Sequence, residues 1–149
     1  MADVVPGVTT EPEVEAAITL AIETVPGWKP SKRTQDTLAL ESKARAHKAF
    51  VVETRSTIRS RAKSRDKQQA AHATAMDSTV VVSISYRLRA ADQQEERRLA
   101  MAEEVLVRKA VLGTATAASL TFESSQRRVQ EGWALSDLTF ISKHLIDLS

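Results

Sequence analysis

The sequence predicts an α+β domain: a mostly antiparallel four-stranded sheet with two main helices packed on one face, in the order α-β-β-α-β-β, and a long β-hairpin tip. Three observations lead there. Two stretches place apolar residues at helical spacing, and two others alternate with period two. A chain of 149 residues, 42% of them hydrophobic and none a cysteine, suits a single domain, residues 1–149, built on a packed core. The cysteine count also excludes disulfide-stapled miniproteins, thiol nucleophiles and thiolate metal centres.

The first helix opens at Thr10-Glu11-Pro12-Glu13, where the threonine hydroxyl can accept from the third helical amide and Glu13 can reach back. Val14, Ala17, Ile18, Ala21, Ile22 and Val25 follow at helical spacing until Pro26-Gly27 stops the run. Trp28 to Glu41 is polar and without period, which predicts a connecting loop. Alternation from His47 to Ile58 predicts a strand with Phe50, Val52, Thr54, Ser56 and Ile58 on its better-buried face. A cleaner alternation follows at Thr79 to Arg89, with Val80, Val82, Ile84, Tyr86 and Leu88 together, and the two strands make a hairpin with an extended tip over residues 59–77.

The second helix is predicted from Asp92, with Glu95 three residues on, to Leu112, with Gly113 ending it. Its expected buried stripe is Leu99, Ala102, Val105, Leu106 and Ala110. Its acidic first turn and basic last turn complement the helix dipole. Leu120 to Ser125, and a final segment with Leu138, Phe140, His144, Ile146 and Leu148, predict two more strands around the polar Gln126 to Gly132.

The net charge of +2 hides a segregation: Met1 to Ser42 holds three basic and seven acidic residues, whereas Lys43 to Lys67 holds nine basic and two acidic. No apolar run approaches the roughly 20 residues of a membrane-spanning helix. The start Met1-Ala2-Asp3 has no basic or apolar leader, so an unprocessed protein with no membrane contact is expected.

Sites of known chemistry are hard to find. The four glycines are scattered, so no phosphate loop forms. His47, His72 and His144 lack helical partners at ligand spacing, and no serine sits in a G-x-S-x-G turn. Glu95-Glu96 and Glu103-Glu104 read as a solvated helix face paired with Arg97, Arg98 and Arg108. No enzyme, cofactor or metal site is expected.

What stands out is the loop in which Arg55, Arg59, Arg61, Lys63, Arg65 and Lys67 recur at about every second residue. Folding one domain requires no such cations, and a long loop in a compact domain points to function or disorder. A phosphate-tracking arm is one reading, an acidic protein neighbour another, and a solvated tip the plainest. No aromatic is interleaved, so base stacking has no support. Trp28 and Trp133 are candidate interface anchors, although burial in a core is the plainer role for a large aromatic.

The helix ending at Pro26-Gly27, the strand His47-Lys48-Ala49-Phe50-Val51-Val52, the strand from Thr79 ending Ser85-Tyr86-Arg87-Leu88-Arg89, the helix from Asp92 and the closing Gly132-Trp133 with Leu138-Thr139-Phe140 together resemble a tailed-phage tail terminator. The likeness runs over about Val14 to Leu148 and consists of residue types, with no diagnostic fingerprint. It implies a structural virion protein with no active site, assembled in the host cytoplasm. Such proteins form a ring, usually a hexamer, that caps the head-proximal end of the tail tube, stops its polymerisation and meets the neck. The implied partners are further copies of the chain, the tail tube protein, a neck or head-completion protein, and genomic DNA if the basic tip faces the lumen. Trp28 to Glu41 and the first ten residues have no counterpart in that pattern. Another neck component, or a small basic nucleic-acid-binding protein, are the alternative expectations.

Overall fold

A computed structural model describes residues 10–31, 46–59, 73–89, 91–114 and 119–147. Helix α1 spans Glu11–Glu23, with Thr10 as its N-cap accepting from the Glu13 amide. The Thr10 hydroxyl also donates to the Glu13 carboxylate at 3.1 Å, where a capping box would have turned Glu13 back to the threonine amide. Helix α2 spans Gln93–Leu112 between Asp92, which accepts from the Glu95 amide, and Gly113. Both helix boundaries agree with the sequence.

Five strands form the single sheet, against the four expected. They are β1 (Lys29–Pro30), β2 (Ala49–Arg59), β3 (Ala73–Arg87), β4 (Ser119–Gln130) and β5 (Trp133–Asp147). Their order is β1-β2-β3-β5-β4, antiparallel throughout except where β1 runs parallel to β2. The extra strand comes from the predicted loop. Lys29 donates its amide to the Lys48 carbonyl and Ser31 to that of Phe50, at 3.0 and 2.8 Å, while Pro30 between them has no N–H to offer and is tolerated at an edge.

The hairpin is longer in strand and shorter in tip than its pattern suggests. Pairing of β2 with β3 continues to Arg59↔Met76, so Arg59 and residues 73–77 belong to strands and not to the tip. The polar stretch after Ser125 is also strand. β4 continues to Gln130 and turns through Glu131 and Gly132, whose φ values of 52° and 79° are those of the two-residue hairpin turn that matches sheet twist.

Both helices lie on one face of the sheet. Val14, Ile18 and Ile22 of α1 and Val107 and Val111 of α2 meet Phe50, Val80, Val82, Ile84, Leu138 and Phe140 in one cluster, each such side chain contributing about 1.5–3 kcal/mol by burial. The α2 stripe differs from the predicted one. The buried positions are Ala100, Glu104, Val107 and Val111, and the expected Leu99 and Leu106 are each 47% exposed. The helix is turned so that a carboxylate faces inward, which hydropathy alone assigns to solvent.

Two register shifts set which side chains face the helices. In β2 the shift between Thr54 and Ser56 turns Ile58 outward, to 47% exposure, although simple alternation puts it beside Phe50. Thr57 takes the inward place and its hydroxyl meets that of Ser78 at 2.8 Å. In β4 the shift between Phe122 and Ser124 likewise changes parity: Leu120 and Phe122 face the core, and beyond it Ser125 and Arg127 do.

Candidate functional site

The cations that the sequence singles out divide between strand and tip. Arg55 and Arg59 stand on β2, and both are exposed. Arg55 sits at the register shift, with a guanidinium nitrogen 3.9 Å from the Glu53 carboxylate. Arg59 pairs with Met76, which in turn pairs with His144, so these three occupy one row across the sheet. Arg61, Lys63, Arg65 and Lys67 lie outside the described residues, as does His72.

Neither tryptophan is an exposed anchor. Trp28, 3% exposed, belongs to the core cluster and donates Nε1–H to the Glu103 carboxylate at 3.0 Å. Lys48 holds the other Glu103 oxygen at 3.2 Å, so one acidic side chain joins α2 to the start of β2. Trp133, 8% exposed, lies under the Arg87 guanidinium, 5.5 Å from the ring centre. Both large aromatics are here consumed by the chain's own packing.

The two acidic pairs of α2 part ways: Glu95 is exposed on a solvated face as expected, whereas Glu103 and Glu104 turn to partners within the fold. Arg98 meets Glu95 at 3.6 Å, a helix-surface pair of the expected kind. Glu104 is 1% exposed and receives the Arg127 Nε–H at 2.9 Å, a second Arg127 nitrogen, and the Ser125 hydroxyl at 3.1 Å. That hydrogen bond to Glu104, more than any other influence, pushes the Arg127 pKa up. Arg108 rests over Phe122, 4.7 Å from its centre. The sequence shows these acids but not that a β4 arginine would reach one of them.

At the far end of the helix-facing surface the core is polar. Ser78, Ser142 and His144 are buried there, with the His144 Nε2 3.6 Å from the Glu11 carboxylate. Neither nitrogen of His144 nor the Ser142 hydroxyl has a hydrogen-bond partner. At the other end His47 stands edge-on to Tyr86, ring centres 4.5 Å apart, and its Nδ1 accepts the Arg87 amide at 3.1 Å.

That second pair predicts how stability depends on pH. Burial first, and then Arg89 and Lys48, hold the His47 pKa below its ordinary 6.5. Burial first, and then Glu96, push the Tyr86 pKa above 10.0. Unfolded His47 therefore binds its proton at higher pH than folded His47, and stability is expected to fall as pH drops below about 6.5; unfolded Tyr86 loses its proton sooner, so stability falls above about pH 10. Urea midpoints measured across pH for the native protein and His47→Gln check this. The variant should lose most of the acid-side slope, and an unchanged slope would assign it elsewhere.

The described surface offers grooves and sheet edges. A groove of about 390 Å³ runs between the first half of α2 and the β4–β5 hairpin, with Arg97, Arg127 and Arg128 around a floor that includes Leu88, Met101 and Leu135. Its one hydroxyl residue, Ser136, has no histidine or carboxylate among the lining residues to activate it. Among the described residues no group of three or more histidine and carboxylate side chains could hold a metal, and no helix is long and apolar enough to cross a membrane. Among the described residues nothing pairs with the outer side of β4 over its 12 residues, and β1 covers β2 only at Ala49 and Phe50. On β2 the Thr54 amide already donates to the Glu15 carboxylate, at 3.1 Å; edge N–H and C=O groups without such a partner can accept a further strand.

No family model matches the chain, and no curated protein matches it. Among solved structures, a protein from Akkermansia muciniphila aligns with 99% of this chain and 83% of its own at 10% identity and a TM-score of 0.37, a likeness that carries no argument about fold or function.

Proposed function

We propose that this protein is a structural subunit that assembles into a ring, caps the head-proximal end of a phage tail tube, ends tube polymerisation and joins the tail to the neck. The observation that carries the reading is the pair of sheet edges that have no strand partner among the described residues, β4 on one side and β2 beyond Phe50 on the other, where the Thr54 amide is met by the Glu15 carboxylate and not by a strand; they are different surfaces of one subunit. Two different edges joined head to tail generate a ring when the rotation closes. Segregated charge, acidic before Ser42 and basic from Lys43 to Lys67, adds a second complementary pair of surfaces and a steering field for encounter. The resemblance over Val14 to Leu148 supplies the tail-terminator identity, the hexamer and the virion setting. In this reading the hairpin cations meet an adjacent subunit, the tube or DNA in the lumen.

Replacing Arg59, at the end of β2, together with Arg61, Lys63 and Arg65 by Ser tests the role of the hairpin cations. The variant is expected to keep the native unfolding midpoint and to lose ring assembly or tail joining. Normal assembly and normal yield of joined particles would show the tip to be dispensable. The second reading, a small basic nucleic-acid-binding protein, is favoured by the same +7 stretch. It predicts binding to DNA of any sequence with an affinity that falls steeply as salt rises.

A further inference from the structure

We infer that the groove between the first half of α2 and the β4–β5 hairpin binds a small amphipathic carboxylate, an aliphatic chain that ends in one acidic group. The inference goes beyond the ring reading and does not rest on it. The groove encloses about 390 Å³, and none of the residues lining it is acidic, whereas Arg97, Arg127 and Arg128 are all among them. That size lies toward the lower end of the range for pockets that hold small molecules, which are mainly apolar with a few placed polar groups. Beneath the cations the floor is apolar and sealed: Leu88, Ala100 and Leu135 are each 7% exposed. Met101 and Val129, 38% and 51% exposed, contribute apolar surface from α2 and from β4. An aliphatic chain laid between them would take that surface out of water.

The polar groups of the groove favour a negative head group. Arg127 is a donor held in advance: the buried Glu104 carboxylate takes its Nε and Nη2, a side-on pairing that fixes the plane of the guanidinium and leaves Nη1 outside it. A side chain that is already ordered loses little freedom on meeting a ligand. Its charge is answered by Glu104, so the attraction for an anion comes from Arg97 on α2 and Arg128 on β4, both exposed. No lining carboxylate opposes that attraction. Gln93 and Gln94, the first two residues of α2, line the same groove. Asp92 serves the Glu95 amide with its side chain and the Glu96 amide with its carbonyl, and the amides of Gln93 and Gln94 have no partner within the helix. Along α2 the groove runs from Gln93 to Met101, about 12 Å, room for a medium aliphatic chain with its head group.

Titration of the native chain with octanoate tests this, with octanol and octylamine as the neutral and cationic counterparts and amide chemical shifts to locate the site. Octanoate is expected to bind with a Kd of about 1 mM or tighter, in keeping with its size. It should bind about tenfold more tightly than either counterpart and shift the amides of Gln94, Met101, Val129 and Ser136. The double variant Arg97→Gln/Arg128→Gln is expected to lose about tenfold in affinity, and Met101→Glu, which sets a negative charge among the apolar groups, to lose more. All three changed positions are exposed, and thermal unfolding confirms that each variant folds. Particle mass, which decides the ring reading, enters none of these outcomes, so either inference can fail without the other. An acidic peptide that shifts the same amides where octanoate does not would overturn the assignment in favour of a protein neighbour. No binding of octanoate at about 10 mM, equal affinity for the three probes, or unchanged affinity in both variants would each overturn it outright.

Discussion

Replacing Arg127 by Ala is expected to lower the stability of the fold by about 3 kcal/mol, the lower end of the range for breaking a buried pair. Glu104, with a side chain 1% exposed, would keep only the Ser125 hydroxyl, while the Arg127 side chain, 37% exposed, stands near enough to solvent for water to replace part of it. The loss arises from a charge left in a low-dielectric site more than from the attraction removed. Replacing both partners, Glu104→Leu with Arg127→Leu, is therefore expected to recover most of the stability. Urea unfolding measures both variants, with an unchanged slope showing that the unfolded state is the same. A double variant no more stable than Arg127→Ala would mean that the pair specifies the packing of α2 on β4 in a way that apolar side chains cannot.

Trp28→Ala is expected to cost about 3–5 kcal/mol, as for a large aromatic removed from a core. Its ring fills the junction of α1, β1 and α2, and its Nε1–H holds Glu103 in place for Lys48. Trp28→Phe separates these contributions, since the ring volume is largely kept and the hydrogen bond is lost. It is expected to cost about 1–2 kcal/mol. Equal losses in the two variants would place the whole effect in the hydrogen bond.

Much of the framework was legible because local chemistry decided it. Thr10, Asp92 and Gly113 mark helix ends through groups that any backbone would use in the same way, and Val80, Val82 and Ile84 alternate on a central strand with two paired neighbours. What escaped depends on partners distant in sequence. β1 is two residues that carry no period and exist only because the Phe50 and Lys48 carbonyls are there to be met. A register shift leaves no trace in an alternating pattern, so Ile58 was assigned by parity that the bulge reverses, and Arg127 was read as part of a polar connection between strands when it stands on β4 facing Glu104. The orientation of α2 turned on Glu104, which is buried because a β4 arginine reaches it across 23 residues of chain. At the candidate site, Arg55 and Arg59 stand on β2 beside the tip as exposed cations, whereas Trp28 and Trp133 are spent on packing.

The central claim is that open edges and complementary surfaces make this chain a ring subunit. The particle mass of the purified protein, measured by native mass spectrometry across concentration at low and moderate salt, alone and with tail tubes, tests it most directly. The account predicts a closed oligomer of fixed stoichiometry, a hexamer on the tail-terminator reading, that binds the end of a tube and stops its growth. A monomer that ignores tubes under every condition, and binds DNA with strong salt dependence, would contradict it.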